Sequence, residues 1–335
     1  TLAGRSRDSY DAATERRPEL KAAGFQALDI GDKAAVKAAL SGFDLVIHAA
    51  GPFQRSENHN VLEAAIEART AYLDVSDDVT YSERSRDTYA AAAVAAGVPA
   101  VISAGIYPGV SNLMAAHIVS IARKEYNEDW SFRDTPEPGG FEPSWLRYSY
   151  YTAGTGGAGP TILATSVLLA GEDVKVYKDG QEFIQPPLSN PRSVDFGPGI
   201  GRHGLFLYNL PETVSAFKYM KVGGASARFA TAPFFWNWLM WLTARVVPRT
   251  LLTNPNFAMS FAKAIGPLVA PIDKIVGEAV AMKVEVELSD GRGTKKDAAG
   301  IFVHRRLSES VGVCIAAFAA SMLRGHADAG VWYPE

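Results

Sequence analysis

The chain has 335 residues, enough for two domains with a core each. Its 33 Lys and Arg against 36 Asp and Glu leave a net charge of −3, which argues against a nucleic-acid binder, and 47% hydrophobic residues mark it as globular. One cysteine, Cys314, and six scattered histidines exclude a disulfide framework and make a metal centre an unfavoured expectation, and no apolar run reaches the length of a membrane span, about 18 residues.

The chain opens on Thr1-Leu2-Ala3-Gly4-Arg5-Ser6, which reads as the tail of a strand. The natural polypeptide is therefore expected to extend further upstream by about 25–35 residues, the size of one βα unit. Residues 8–24 are predicted as one helix, with Asp8 as its cap and Gly24 as its stop. A short strand follows at 25–30, then a helix at 32–41. The apolar run 44–50 is a strand closed by Gly51-Pro52. A helix at 60–69, a strand at 72–75, an Ala-rich helix at 80–97 capped by Asp78 and a strand at 99–103 complete the pattern, and a further helix starts near Ser111 or Asn112. Short buried strands alternating with helices predict βαβ units and a doubly wound parallel sheet of Rossmann type. The strands end at Gly4, Gly51, Ser76 and Gly105, and the ligand crevice of such a sheet lies at those ends.

Beyond residue 125 the character changes. A turn-rich stretch at 134–140 precedes an alternating strand at 145–152, and the glycine-rich run 154–159 leads into an apolar helix. Asp179-Gly180 predicts a two-residue hairpin between strands at 174–177 and 182–184, and a turn containing Asp290-Gly291 joins strands at 279–288 and 298–305. A last helix spans 308–324. The expected organisation is a dinucleotide-binding domain over 1–125, an α+β domain with a mostly antiparallel sheet over 126–306, and a C-terminal helix and tail over 307–335 that returns to the first domain.

No GxGxxG fingerprint is present, and the run at 154–159 lacks the βαβ setting of one. At the end of the second strand of a dinucleotide-binding sheet, an acid reads the ribose 2′-hydroxyl of NAD, whereas an Arg accommodates the 2′-phosphate of NADP. Arg5 and Ser6 stand there, two donors suited to a phosphate. His48 on an apolar strand reads as a core residue. Ala50-Gly51-Pro52 leaves the backbone open to close approach before Phe53. Asp77 remains open between ligand contact and capping. Between Pro233 and Trp241, five large aromatics crowd one segment. On a helix Phe234, Trp238 and Trp241 share a face, and Trp236 points away from it. That second aromatic side is expected to meet another subunit, giving a homodimer, or a membrane surface, with Arg245 and Arg249 meeting anionic groups.

Leu2-Ala3-Gly4-Arg5-Ser6, Val46 to Phe53, Ala71 to Asp77, Gly105 to Asn112 and the ending Gly330-Val331-Trp332-Tyr333-Pro334-Glu335 together resemble the saccharopine dehydrogenase-like oxidoreductases. The stretch 107–112 and the glycine run look most like the cyanobacterial and plastid branch. Lysine-pathway enzymes and carboxynorspermidine or homospermidine synthases are similar at greater distance. Members of the family begin with a strand and glycine loop that would precede Thr1. The resemblance implies a Rossmann domain, an inserted catalytic or dimerisation domain, and NADP(H) chemistry on a small substrate at a carbon–nitrogen bond, in the cytoplasm or the plastid (stroma or thylakoid surface). On that footing Arg5 and Ser6 bind the 2′-phosphate and Asp29 and Ile30 sit near the adenine. Ala50, Gly51, Pro52 and Phe53 line the ribose and nicotinamide side, and Ser76 and Gly105 lie by the reacting centre. Tyr107, Asp77 and Tyr151 are the candidates for proton transfer. The alternative is a non-catalytic Rossmann-like subunit of a membrane-associated, photosynthetic complex.

Overall fold

Strands of three or four residues, alternating with helices, build the first half of the computed structural model, which describes residues 1–133, 135, 139–154, 160–290 and 292–335. In chain order these are β1 (Leu2–Gly4), α1 (Arg7–Arg16), β2 (Phe25–Ala27), α2 (Lys33–Ala39), β3 (Leu45–His48), α3 (Asn60–Ala68), β4 (Ala71–Asp74), α4 (Val79–Ala96), β5 (Pro99–Val101) and α5 (Val110–Ala122). The helix expected over 8–24 is broken: α1 ends at Arg16 and a 3₁₀ turn covers Pro18–Ala23. Pro18 has no N–H to continue the ladder and biases Arg17 away from the helical region. The cap is Ser6 rather than Asp8, its Oγ accepting from the Ser9 N–H at 3.1 Å.

All pairings in this half are parallel. β3, β4 and β5 are joined by β14 (Gly330–Trp332) in the order β14-β5-β4-β3, while β1 and β2 form a two-stranded sheet of their own. Side chains alternate across the four-stranded sheet. Tyr72, Ala100 and Ile102 meet α3 and α4, whereas Leu73 and Val101 meet Ala319 and Met322 of α11 (Leu307–Leu323) on the other side.

The second half contains β6 (Glu142–Ala153), α6 (Pro160–Ala170), β7 (Val174–Lys178), β8 (Gln181–Gln185), β9 (Arg192–Asp195), β10 (Arg202–Leu207), α7 (Pro211–Lys218) and β11 (Ala225–Ala232). It continues with α8 (Phe235–Val246), α9 (Arg249–Leu252), α10 (Pro255–Val276), β12 (Ala279–Ser289) and β13 (Lys295–His304). Its sheet runs β13-β12-β6-β11-β10-β9, with β7 and β8 attached through β11. Every pairing is antiparallel except β6 with β11, so the expected mostly antiparallel sheet is present. β6 is therefore mixed rather than plainly antiparallel, because the long crossover before β11 includes the helices a parallel return requires. The Asp179-Gly180 hairpin forms with both residues at positive φ. Gly291 and residues 155–159 lie outside the described residues, as do four residues of the turn-rich stretch at 134–140.

The rotation of α8 reverses one expectation. Buried Asn237 accepts from the Thr231 N–H at 2.9 Å and donates to the Thr231 carbonyl at 2.8 Å, tying this face of the helix to the end of β11. Trp236 and Met240 consequently point inward, while Phe234, Phe235 and Trp238 are exposed. The helical spacing placed Trp236 outside because periodicity alone does not say which aromatic stripe faces the sheet.

Two-stranded sheets are marginal in water. Leu2 on β1 and Ile47 on β3 are both exposed. Amides of β1 and β2 are expected to exchange with deuterium about a hundredfold or more faster than those of β4 and β5 in this chain, as local opening does not require global unfolding. Equal protection of both sheets would contradict this.

Candidate functional site

The carboxyl ends of β3, β4 and β5 face α6 and the strands β10 and β11 across a cleft of about 560 Å³. One wall is backbone with small side chains, Ala49, Ala50 and Gly51, followed by Pro52, Phe53 and Gln54. The floor is Val75, Asp77 and the loop Gly105-Ile106-Tyr107-Pro108. The far wall is apolar, with Ile162, Leu169, Tyr208, Leu210, Phe229, Leu307 and Val311, relieved by Thr165, Ser166 and Ser308.

The floor is shaped by one buried carboxylate. Asp74 Oδ1 accepts from the N–H groups of Ser103 and Ser76 at 2.7 and 3.0 Å, and Oδ2 accepts from the Tyr72 hydroxyl at 2.9 Å. Burial raises its pKa to about 6 despite these donors. His48 Nδ1 lies 3.0 Å from the same hydroxyl, whose proton goes to Asp74, so Nδ1 is the donor and Nε2 is left bare and unpartnered. Burial and then His59 lower the His48 pKa to about 4, keeping it neutral. The loop beyond Ser103 closes on itself. A Cβ at Gly109 would stand 1.9 Å from the Gly105 carbonyl oxygen, and Gly109 has φ +133°, so only glycine fits.

Asp77 lines the cleft half-buried. Gln54 Nε2 donates to its Oδ1 at 2.5 Å, and Gln54 Oε1 accepts from Thr165 on the opposite wall at 3.2 Å. Burial raises the Asp77 pKa to about 6, with the Asp78 charge adding to it. Asp78 is the cap of α4, accepting from the Tyr81 N–H at 2.6 Å. Tyr107 stacks on Tyr150 at 4.6 Å, and the Tyr150 hydroxyl donates to Glu212. Burial, then the Asp77 and Glu212 charges, push the Tyr107 phenol far above its ordinary value, so it stays a neutral donor. Glu212 is fully buried, its Oε2 has no partner, and burial raises its pKa to about 7.

The structure thus brings together Ala50, Gly51, Pro52, Phe53, Gly105, Tyr107 and Asp77. It does not bring Ser76, which is buried in the turn with its N–H on Asp74 and its Oγ accepting from the Asp78 N–H at 3.3 Å. Tyr151 is a correction. It sits on the other face of β6 from Tyr148 and Tyr150, stacked on His203 at 4.0 Å in a separate apolar cluster. Strand parity decides this, since residues 150 and 151 cannot share a face. Arg5 and Ser6 follow β1 directly, and Asp29 and Ile30 follow β2, its parallel neighbour. These four share the next pair of strand ends rather than the cleft wall. Arg5 is exposed, and Asn60 Nδ2 holds the Ile30 carbonyl at 3.1 Å. Sequence reasoning missed Gln54, Tyr150, Thr165 and Glu212. Glu212 follows Pro211 at the start of α7, where an acid normally reads as an exposed helix-end charge.

Residues 1–101 match the family model of the saccharopine dehydrogenase NADP binding domain. That domain is the part of the chain the family model describes. Among solved structures, apo histidine-tagged saccharopine dehydrogenase (L-Glu forming) from Saccharomyces cerevisiae is similar with a TM-score of 0.63 at 14% identity, over 99% of this chain and 87% of that one. An engineered D-amino acid dehydrogenase bound to NADP+ aligns over 99% of this chain and 92% of its own, with 14% identity and a TM-score of 0.42. No curated protein matches the sequence. By the family model, residues 1–101 form an NADP-binding domain. No described helix of the chain is long and apolar enough to cross a membrane.

Glu212 offers a direct test of the site's electrostatics. An unfolded Glu titrates near 4.3 and the folded one at about 7, so the native state holds the extra proton between these values. Its contribution to stability is full below about pH 4.3 and falls as pH rises to about 7. Glu212→Gln should match the parent at pH 4 and exceed its unfolding free energy at pH 8 by on the order of 1–3 kcal/mol. Denaturant titrations at the two pH values check this, and a parallel pH dependence in both proteins would refute it.

Proposed function

We propose that the chain is an NADP(H)-dependent oxidoreductase that transfers hydride within the cleft, with Asp77 as its acid–base group and Tyr107 as a hydrogen-bond donor to the reacting substrate. The observation that carries this is Asp77 itself, a half-buried carboxyl with its pKa raised to about 6 on the floor of a cleft at the carboxyl ends of parallel strands. In this reading residues 1–125 carry the cofactor and 126–306 close the substrate side.

The residues at the strand ends fit a dinucleotide. Nothing larger than a methyl group projects between His48 and Pro52, and Ala49, Ala50 and Gly51 are exposed there. Arg5, with the Ser6 hydroxyl, would hold the 2′-phosphate, and Asp29 and Ile30 would flank the adenine. Bound NADP(H) supplies or accepts the hydride. Gln54 anchors Asp77 Oδ1 through Thr165, which leaves Oδ2 for the substrate proton. The apolar walls exclude water and strengthen both interactions. A carbon–nitrogen bond as the reacting group is supported by the family likeness alone; the cleft supports any polarised double bond that takes hydride and a proton. What supports the enzyme over a non-catalytic subunit is a titratable group held in a largely apolar cleft, which a docking role does not require.

Two measurements test the reading. Charge-assisted contacts to a phosphate are worth on the order of 1.5–3 kcal/mol, so Arg5→Ala should weaken NADPH roughly ten- to hundredfold and leave NADH nearly unchanged. Equal loss for both cofactors would remove Arg5 from the site. For Asp77, reduction needs the protonated carboxyl and should decline above about pH 6, whereas oxidation needs the carboxylate and should rise through the same value. Asp77→Asn should lower turnover roughly 10²- to 10⁴-fold in both directions and abolish that inflection. An unchanged pH profile would assign the proton to another group.

A further inference from the structure

We infer that the substrate is an uncharged, lipophilic molecule that reaches the cleft from an anionic membrane surface, along an apolar channel between α6, α8 and α10. This rests on the reading of the cleft as the reacting chamber. Three independent observations lead to it.

The first is the chemistry of the cleft lining. Among the described residues no Lys, Arg or His lines it, and its one ionisable acid, Asp77, would repel an anion. A substrate bearing carboxylates would be buried there without a counter-charge, which is strongly disfavoured.

The second is a second cavity, of about 90 Å³, that shares Ile162, Ser166, Tyr208 and Phe229 with the cleft. Its other walls are the inward faces of α8 and α10, including Trp236, Met240 and Phe261. Leu239 also lines it and is 45% exposed, so a single side chain of α8 stands between the cavity and the surface there. Cleft and cavity are thus separated only by these shared side chains, and in the proposal they join there into one apolar path from Asp77 outward.

The third is what surrounds that opening. Phe234, Trp238, Leu242 and Val246 on α8, with Leu268 and Ile275 on α10, are all at least half exposed, up to 86% at Ile275. Contiguous apolar side chains on one side of a soluble fold mark an interaction surface. From Pro233 to Val276 the sequence carries Arg245, Arg249, Lys263 and Lys274 against one acid, Asp273, in a chain that is negative overall. Arg249 is paired with Asp173 at 2.9 Å and Arg245 packs on Trp241, which leaves Lys263 and Lys274, both exposed, as the cations offered to a surface. Aromatic, aliphatic and cationic groups together match the interface of an anionic bilayer, on which such helices lie without crossing it. A second copy of the same cationic face would meet like charge instead.

Vesicles of phosphatidylcholine with phosphatidylglycerol test the surface, and 11-bromo-1-undecanol, an uncharged quencher of tryptophan fluorescence, tests the channel. The chain should co-sediment with these vesicles, more weakly at high salt. Leu242→Glu with Val246→Glu, both exposed positions, should reduce binding about tenfold or more while leaving the circular dichroism spectrum unchanged. The bromoalcohol should quench the fluorescence of the free protein, the quenching should be lost in Trp236→Phe, and 11-bromoundecanoic acid should require about tenfold or more higher concentration. Ser166→Phe, placed where cleft and cavity meet, should confine the probe to the outer cavity and halt its competition with an apolar dye bound in the cleft. If Ser166→Phe does not fold, Ser166→Leu serves the same purpose. Absence of vesicle binding, a dimer that hides this face, or equal affinity for the acid and the alcohol would each overturn the proposal. An NADPH titration of the same protein separates the two ideas, because lost NADPH binding with intact quenching fails the oxidoreductase reading and leaves the channel standing.

Discussion

The buried carboxylate of Asp74 is the constraint on which the site is built. A group of this kind, fully enclosed, is costly unless its oxygens are satisfied, and three donors from two strands and a turn converge on it. The Ser103 N–H bond joins the end of β5 to the end of β4, and the Ser76 N–H bond folds the chain back just after β4. Ser103 takes a positive φ of 58° to make its bond, an unusual conformation for a residue with a side chain. With these ends fixed, Asp77 is delivered to the cleft three residues beyond Asp74, and the loop from Gly105 to Gly109 is delivered six beyond Asp74's partner Ser103 at most. Removing Asp74 would free both halves of the floor together. That coupling is why a residue that touches no ligand governs where the reacting groups stand.

The parts of the structure set by local chemistry were legible in the chain. The alternation of three- to four-residue apolar runs with Ala-rich helices gave the parallel sheet. Asp179-Gly180 gave a hairpin because only residues tolerant of positive φ close a two-residue turn. Asp78 was readable as a cap because a carboxylate before a helix has an obvious set of N–H partners. What depended on which face an element presents was not legible. Tyr150 and Tyr151 are equivalent as letters, and only the pairing of β6 between β11 and β12 puts the first beneath Tyr107 and the second in a remote cluster. Trp236 and Trp238 were ordered wrongly for the same reason, since Asn237 between them sets the rotation of α8 through a bond to Thr231. Glu212 was invisible because its burial comes from tertiary closure over the start of α7, which no local pattern announces.

The charges around the cleft also sort along the sheet, and this has a consequence for orientation. Asp74, Asp77, Glu172 and Glu212 all have proton affinities raised first by burial, so the region beyond β3, β4 and β5 is acidic and reluctant to ionise. Arg5 stands instead at the end of β1, beside the start of α1, where the unpaired N–H groups of a helix favour an anion. NADP(H) is itself polar, with the 2′-phosphate at its adenosine end, the pyrophosphate between the riboses and a ring that becomes cationic on oxidation at the other end. Laid across these strand ends, it finds positive charge for the phosphates and buried acids for the ring in only one of its two directions. In the reverse direction the 2′-phosphate would face Asp77, with no Lys, Arg or His among the described residues of the cleft lining to offset it. In the proposed reading, the same acids that make the cleft inhospitable to a carboxylate substrate would also set the direction of the cofactor, so that substrate class and cofactor orientation would follow from one distribution of charge.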